Sequence, residues 1–330
     1  MAKPNVEPNV EPSVESRVSS LPAMPFDPAR HPRAPLAAAT TAVVVWGIGP
    51  LFVTAIDTAG LVVATYRMVC GAPVMWLINR LLGGRLTLDL LRVAAPAGLL
   101  FAGDIVLGFS AFQHTSLAIA TIIGALFPAL VLVVSGPLFG EEVRTLDVVW
   151  FALALAGTSV VVLFGDQGAD TSSLGVLLSA GSLLSWTAYF LYVKQKRLDG
   201  VPAFAFMTAV ITTGACALAP YTLLSSKEIG SVRGTDFLWL FALILLPGAA
   251  GHGLMTWAHG FISANVASIL TLLGPVVTIA GAWVFFDQAL TGAQFAGIAA
   301  VFVAIGLVLL GHRRIGDAVI EDEPVAGVLP

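Results

Sequence analysis

Residues 36–56 read LAAATTAVVVWGIGPLFVTAI, without one charged side chain. A helix satisfies its backbone hydrogen bonds internally, and about 20 apolar residues cover the ~30 Å hydrocarbon core of a bilayer. This stretch is therefore long enough and apolar enough to span a membrane. Nine further runs share its character: 61–82, 93–113, 116–138, 147–165, 174–193, 202–224, 237–260, 264–286 and 293–311. The expected fold is an all-α integral membrane protein of ten transmembrane helices. Links as short as 57–60 and 114–115 force antiparallel neighbours, so the chain runs up and down across the bilayer.

Composition agrees. Of 330 residues, 57% are hydrophobic and 11% charged, and the mean hydropathy is +0.91. Soluble domains carry roughly 25% charged residues, so an ordinary globular enzyme is excluded. The net charge of −4 selects no partner, because loop charges in a membrane protein set orientation. There is no basic stripe for nucleic acid and no Gly-x-x-x-x-Gly-Lys-Ser/Thr loop for a nucleotide. No histidine cluster has metal-ligand spacing, so neither a metal nor a cofactor is expected. The expected partners are membrane lipid and a small-molecule substrate. Cys70 and Cys216 fall inside hydrophobic runs and read as small packing residues rather than a disulfide.

Residues 1–35 form a separate segment. Pro4-Asn5-Val6-Glu7, Pro8-Asn9-Val10-Glu11 and Pro12-Ser13-Val14-Glu15 repeat, and prolines continue to Pro35. Such a stretch buries too little apolar surface to offset its ordering entropy, so a disordered tail is expected. It is not a signal peptide, since the first apolar run starts at Leu36, spans a full bilayer and has no cleavage pattern behind it. Of the 16 Lys and Arg, thirteen fall on the side of the N-terminus: Lys3, Arg17, Arg30, Arg33, Arg80, Arg85, Arg92, Arg144, Lys194, Lys196, Arg197, Arg313 and Arg314. Lys227 and Arg233 fall opposite, and Arg67 lies within a span. Positive charge stays inside, so both termini, including the tail 312–330, are expected in the cytoplasm and the spans in the plasma membrane.

The last five spans echo the first five. Val45-Trp46-Gly47 in the first is answered by Ser185-Trp186-Thr187 in the sixth, and Leu126-Phe127-Pro128-Ala129 in the fourth by Leu273-Gly274-Pro275-Val276 in the ninth. The fifth and tenth close alike, with Ala156-Gly157 and Ile305-Gly306. The tryptophan and proline offsets differ, so an insertion lies between them, at the longer 225–236 connection. Five spans are an odd number, so the second repeat (174–311) crosses in the opposite sense to the first (36–165). Two inverted five-helix repeats of this kind share a cavity near the midplane.

In these residues the chain resembles the EamA branch of the drug/metabolite transporter superfamily, over about residues 36–311. The resemblance rests on Trp46-Gly47, Arg67, Pro128 and Gly140-Glu141 in the first half, and on Trp186, Pro275, Gly297 and Gly306 in the second. One departure is Phe286-Asp287-Gln288, where the family commonly has Gly-Glu, so a role tied to that glutamate is supported only at Glu141. The resemblance implies ten helices and export or exchange of small metabolites, often amino acids or drug-like compounds, without ATP.

Charges inside the membrane cost at least ~2.5–3.5 kcal/mol each, and two stand well within spans. Arg67 lies ~9 Å below the surface at which the second helix begins, and Asp104 ~13 Å below the surface at which the third ends. The matching depths leave two readings: a static ion pair locking adjacent helices, or a cavity carboxylate that exchanges a proton or a cationic substrate for its Arg67 contact. His252 and His259 share a face of the eighth span. His252, between two glycines, is either a hydrogen-bonded packing residue or a proton or substrate contact. Trp46, Trp186, Tyr189 and Tyr192 suggest an aromatic lining of the substrate site, with plain packing as the other reading of the two tryptophans. Pro128 and Pro275 remove backbone donors within their helices and bend them, either as static kinks or as paired hinges. Two other classes remain open. Gly103-Asp104 is similar to the Gly-Asp of intramembrane aspartyl proteases, but that chemistry shares a proton between two carboxyls, and no other span offers one in mid-membrane. A non-transporting scaffold or sensor is the second.

Overall fold

A computed structural model describes residues 33–115, 117–164, 172–286 and 290–321. The expected disorder of the N-terminal tail, the acidic link 166–170 and Asp287 therefore lie outside the described residues. Ten helices are long and apolar enough to cross a membrane, and no strand occurs among the described residues. They are α1 (Ala34–Thr54), α2 (Gly60–Leu81), α3 (Leu88–Ala111), α4 (Leu117–Gly124 and Phe127–Phe139), α5 (Thr145–Leu163), α6 (Ser173–Leu198), α7 (Ala203–Ser225), α8 (from Asp236–Leu243 to His252–Ala258), α9 (Ala264–Leu270 and Leu273–Phe286) and α10 (Gly292–Glu321). An even number of passes brings the start of α1 and the finish of α10 to one end of the bundle, the terminal end; the opposite end is the far end.

Charge misplaced two boundaries. The third helix begins five residues before the expected 93, because the Thr87 side chain accepts from the Leu90 N–H at 3.2 Å and caps it. The sixth runs five residues past 193 and carries Lys194, Lys196 and Arg197, cations that suit a helix C-terminus.

The matched prolines do more than bend their helices. A proline ring clashes with the carbonyl four residues back and offers it no N–H. For Pro128 that carbonyl belongs to Gly124, where the first half of α4 ends; for Pro275 it belongs to Thr271, one residue past the end of the first half of α9. Each proline then sits in the first turn of the next half-helix, where a missing N–H leaves no unmade bond. Both helices are thus broken, at 125–126 and at 271–272, in equivalent places of the two repeats. Pro50 and Pro73 lie inside unbroken α1 and α2. Pro247 lies in a π-helical turn, Ile244–Gly251, within α8, the widened geometry of an interrupted ladder.

Packing follows the inverted duplication. α3 packs along α6 as α8 packs along α1, while α2 meets α7, α4 meets α9 and α5 meets α10, each pairing a helix with its repeat counterpart. The contacts thus bind one repeat to the other. Glycines set the closest approaches: α1 crosses α9 at Gly47, whose carbonyl accepts from Thr278 Oγ1 at 2.6 Å. Large apolar side chains such as Leu81, Val133, Leu224 and Phe285 face outward, as a lipid-bathed surface requires. Cys70 and Cys216 are free thiols, both exposed.

Candidate functional site

Four helices, α1, α3, α6 and α8, bring one aromatic cluster together. Trp46 of α1 and Trp186 of α6, matched in sequence, meet edge to face with ring centroids 5.8 Å apart. His252 of α8 lies 4.9 Å from the Trp46 ring, 5.0 Å from Phe101 of α3 and 6.4 Å from Trp186. Tyr189 stacks on Phe101 at 5.0 Å and touches Trp186 at 5.2 Å. Local backbone explains the Trp46 position. The π turn exposes the Pro247 carbonyl, which accepts from Trp46 Nε1 at 3.1 Å. Gly251 gives the indole room, since a Cβ there would stand 2.6 Å from Nε1.

The two intramembrane charges do not form an ion pair within 4.0 Å. Arg67 Nη2 approaches His252 Nε2 at 3.3 Å. A guanidinium only donates, so Nε2 accepts and the neutral ring carries its proton on Nδ1. Asp104 Oδ1 instead accepts from Ser182 Oγ at 2.6 Å, and Ser185 Oγ fastens the same two helices by donating to the Leu100 carbonyl at 2.8 Å. Of the two readings, the direct ion pair is not formed: Asp104 turns toward α6 and Arg67 toward α8.

A cavity of about 130 Å³ lies between α3, α4 and α6, reaching from Ala111 and Phe112 at the far end down to Asp104, Ser182 and Trp186. Of the six residues expected at a substrate site, Asp104 and Trp186 line it. Trp46, Arg67, Tyr189 and His252 form the layer behind. Pro128 and Pro275 stay at the helix breaks, although Phe127, beside Pro128, reaches the Trp186 ring at 6.2 Å and Phe190 at 4.8 Å. Sequence reasoning missed Ser182 and Phe101. Both were within reach: Ser182 is one helical turn before Trp186 and Phe101 is three residues before Asp104, hence on the same faces.

Polar contacts within and between the repeats gather at the terminal end. Gly140 adopts φ +67° and reverses the chain after α4, so that Glu141 meets the start of α9. Its Oε1 accepts from the Ala264 N–H at 2.7 Å and its Oε2 from the Asn265 N–H at 3.2 Å, a charged cap on a helix N-terminus. Lys194, a buried cation of α6, donates to the carbonyls of His259 at 2.9 Å and Ile262 at 2.7 Å, with Glu141 Oε1 at 4.0 Å. Ser135 Oγ donates to Asn265 Oδ1 at 2.8 Å. His259 is buried edge-on to Phe190 at 4.3 Å, and neither ring nitrogen has a hydrogen-bond partner among the described residues.

The sequence profile of the EamA-like transporter family matches residues 34–163 and 173–310. A probable amino-acid metabolite efflux pump of Escherichia coli (strain K12) is 26% identical over 184 residues, 53% of this chain and 61% of that protein. An aromatic amino acid exporter of Ancylobacter novellus is 28% identical over 177 residues, 52% of this chain and 59% of its own. A threonine/homoserine exporter of Salmonella typhimurium is 22% identical over 168 residues, 49% and 54%. The matched stretch thus spans little more than half the length of these relatives. A solved crystal structure superimposes with a TM-score of 0.74 at 20% identity, covering 84% of this chain and 98% of its own. That likeness shows a shared fold.

Proposed function

The chain belongs to the EamA-like transporter family, and from that premise we propose that it exports a small organic metabolite, amino-acid-like or drug-like, across the cytoplasmic membrane by alternating access. One observation carries the reading. A cavity with a carboxylate in its lining lies in the half of the bundle toward the far end, while Glu141 and Lys194 fasten elements together at the terminal end. Inverted repeats can exchange such arrangements, so the same chain can open at the other end. The breaks beside Pro128 and Pro275 are the natural hinges, because a half-helix swings without distorting a continuous hydrogen-bond ladder. Asp104 is the group at which a proton could be exchanged for substrate. The test is purified protein in sealed vesicles preloaded with an amino-acid mixture. Time-dependent loss of at least one solute, absent from protein-free vesicles, is expected; folded protein that moves none would favour a scaffold or sensor.

The excess of Lys and Arg at the terminal end supports placing that end, with both chain termini, in the cytoplasm. In a variant with Cys70 and Cys216 replaced by alanine, a cysteine at Lys227 is expected to react with a membrane-impermeant maleimide on whole cells. One at Asp199 is expected to react only after lysis. Both positions are exposed. The reverse pattern would invert the export direction argued here.

A further inference from the structure

We propose that the cavity recognises its substrate by an ammonium group, so that organic amines lacking a carboxylate are ligands of this protein. This rests on the transporter reading and narrows it to a substrate class. The argument is a count of what the cavity offers. Among its described lining residues the single charged side chain is Asp104. The two serine hydroxyls of the lining have spent their protons: Ser182 Oγ donates to Asp104 Oδ1, and Ser179 Oγ to the Gly175 carbonyl at 2.9 Å. What remains for a ligand is mainly acceptors. These are the second Asp104 oxygen and the serine lone pairs. The Trp186 indole N–H is a neutral donor, and its ring face suits a cation.

The cation needed for a carboxylate is out of place. Arg67 does not line the cavity; it donates to His252, which sits against Trp46, Phe101 and Trp186. A buried carboxylate facing open volume without an ion-pair partner is costly unless a cation joins it. An ammonium supplies charge and several N–H donors at once, which matches the acceptors left open. An anionic ligand would meet the Asp104 charge in the lining, while Arg67, the cation whose charge reaches Asp104, stays bonded to His252 outside the lining.

Three probes of one size decide the matter in detergent-purified full-length protein, by isothermal titration and by the rise in unfolding temperature: 2-phenylethylamine, 2-phenylethanol and 3-phenylpropionate. The amine is expected to bind at least tenfold more tightly than the alcohol, and the acid not to bind. Asp104→Asn should lower amine affinity at least tenfold. The wild-type ranking alone suffices if Asp104→Asn does not fold. Acid binding equal to or better than amine binding overturns the proposal, as does failure of the amine to bind or full amine affinity in folded Asp104→Asn. The transporter reading fails separately. If the amine binds yet no solute crosses vesicles, that reading falls and the site stands; if amino acids cross but the amine does not bind, the reverse holds.

Discussion

Replacing Glu141 with alanine is expected to unfasten the terminal end of the bundle. The substitution removes two bonds from a carboxylate to backbone N–H groups of α9, each worth about 1.5–3 kcal/mol when the acceptor is charged. It also takes away the negative partner nearest Lys194, at 4.0 Å. Water recovers part of the loss once the end opens, so the net shift toward an open terminal end is about 3 kcal/mol, or roughly a hundredfold in its population. Ala267, fully buried on the first half of α9, can report it. A cysteine there should be protected from a water-soluble maleimide in the parent and labelled rapidly in Glu141→Ala. Glu141→Gln keeps an acceptor oxygen and should fall between. If the unfolding temperature drops but Ala267→Cys stays protected, Glu141 is a helix cap and does not hold the end shut.

The same residue marks how far sequence reading reaches. Span count, order and duplication follow from apolar runs and matched motifs, and Gly140-Glu141 stood out among them. Its partner did not, because Glu141 binds backbone N–H groups of α9, and a backbone donor has no signature in the sequence. The breaks in α4 and α9 were marked by Pro128 and Pro275, but a proline alone does not tell a kink from a full interruption. Pro247 produced a third outcome, a π turn that receives Trp46. Facing was the main loss. Counting residues from the span ends puts Arg67 and Asp104 at similar depths, yet a helix turns 100° per residue, so an error of one position in facing exchanges Ser182 for Arg67 as the partner of Asp104. Lys194 was hidden for another reason: reading a charge as the end of a span placed it in water, whereas the carbonyls of His259 and Ile262 hold it buried.

The largest effect on folding is expected at the crossing of α5 and α10. Lipid tails are as apolar as leucine, so helices in a bilayer associate through close packing, and small residues make that possible. Here Gly157 and Gly297 face each other reciprocally. A Cβ on either would lie 2.7 Å from the other's carbonyl oxygen, with Val161 or Val301 also in contact. A backbone carbonyl cannot rotate away as a side chain can, so the helices themselves must separate. Gly157→Ala or Gly297→Ala should therefore cost about 1–3 kcal/mol, as overpacking does. Leucine at either site should abolish the monodisperse folded protein, because α10 makes its main contact with α5. Gly306, also on α10, is the internal control. A Cβ there meets nothing within 4 Å, so Gly306→Ala should be neutral or stabilise by up to about 1 kcal/mol through helix propensity. Thermal unfolding and size-exclusion profiles in one detergent compare the three sites. Equal shifts for alanine at Gly157 and at Gly306 would mean that the close crossing does not hold α10 in place.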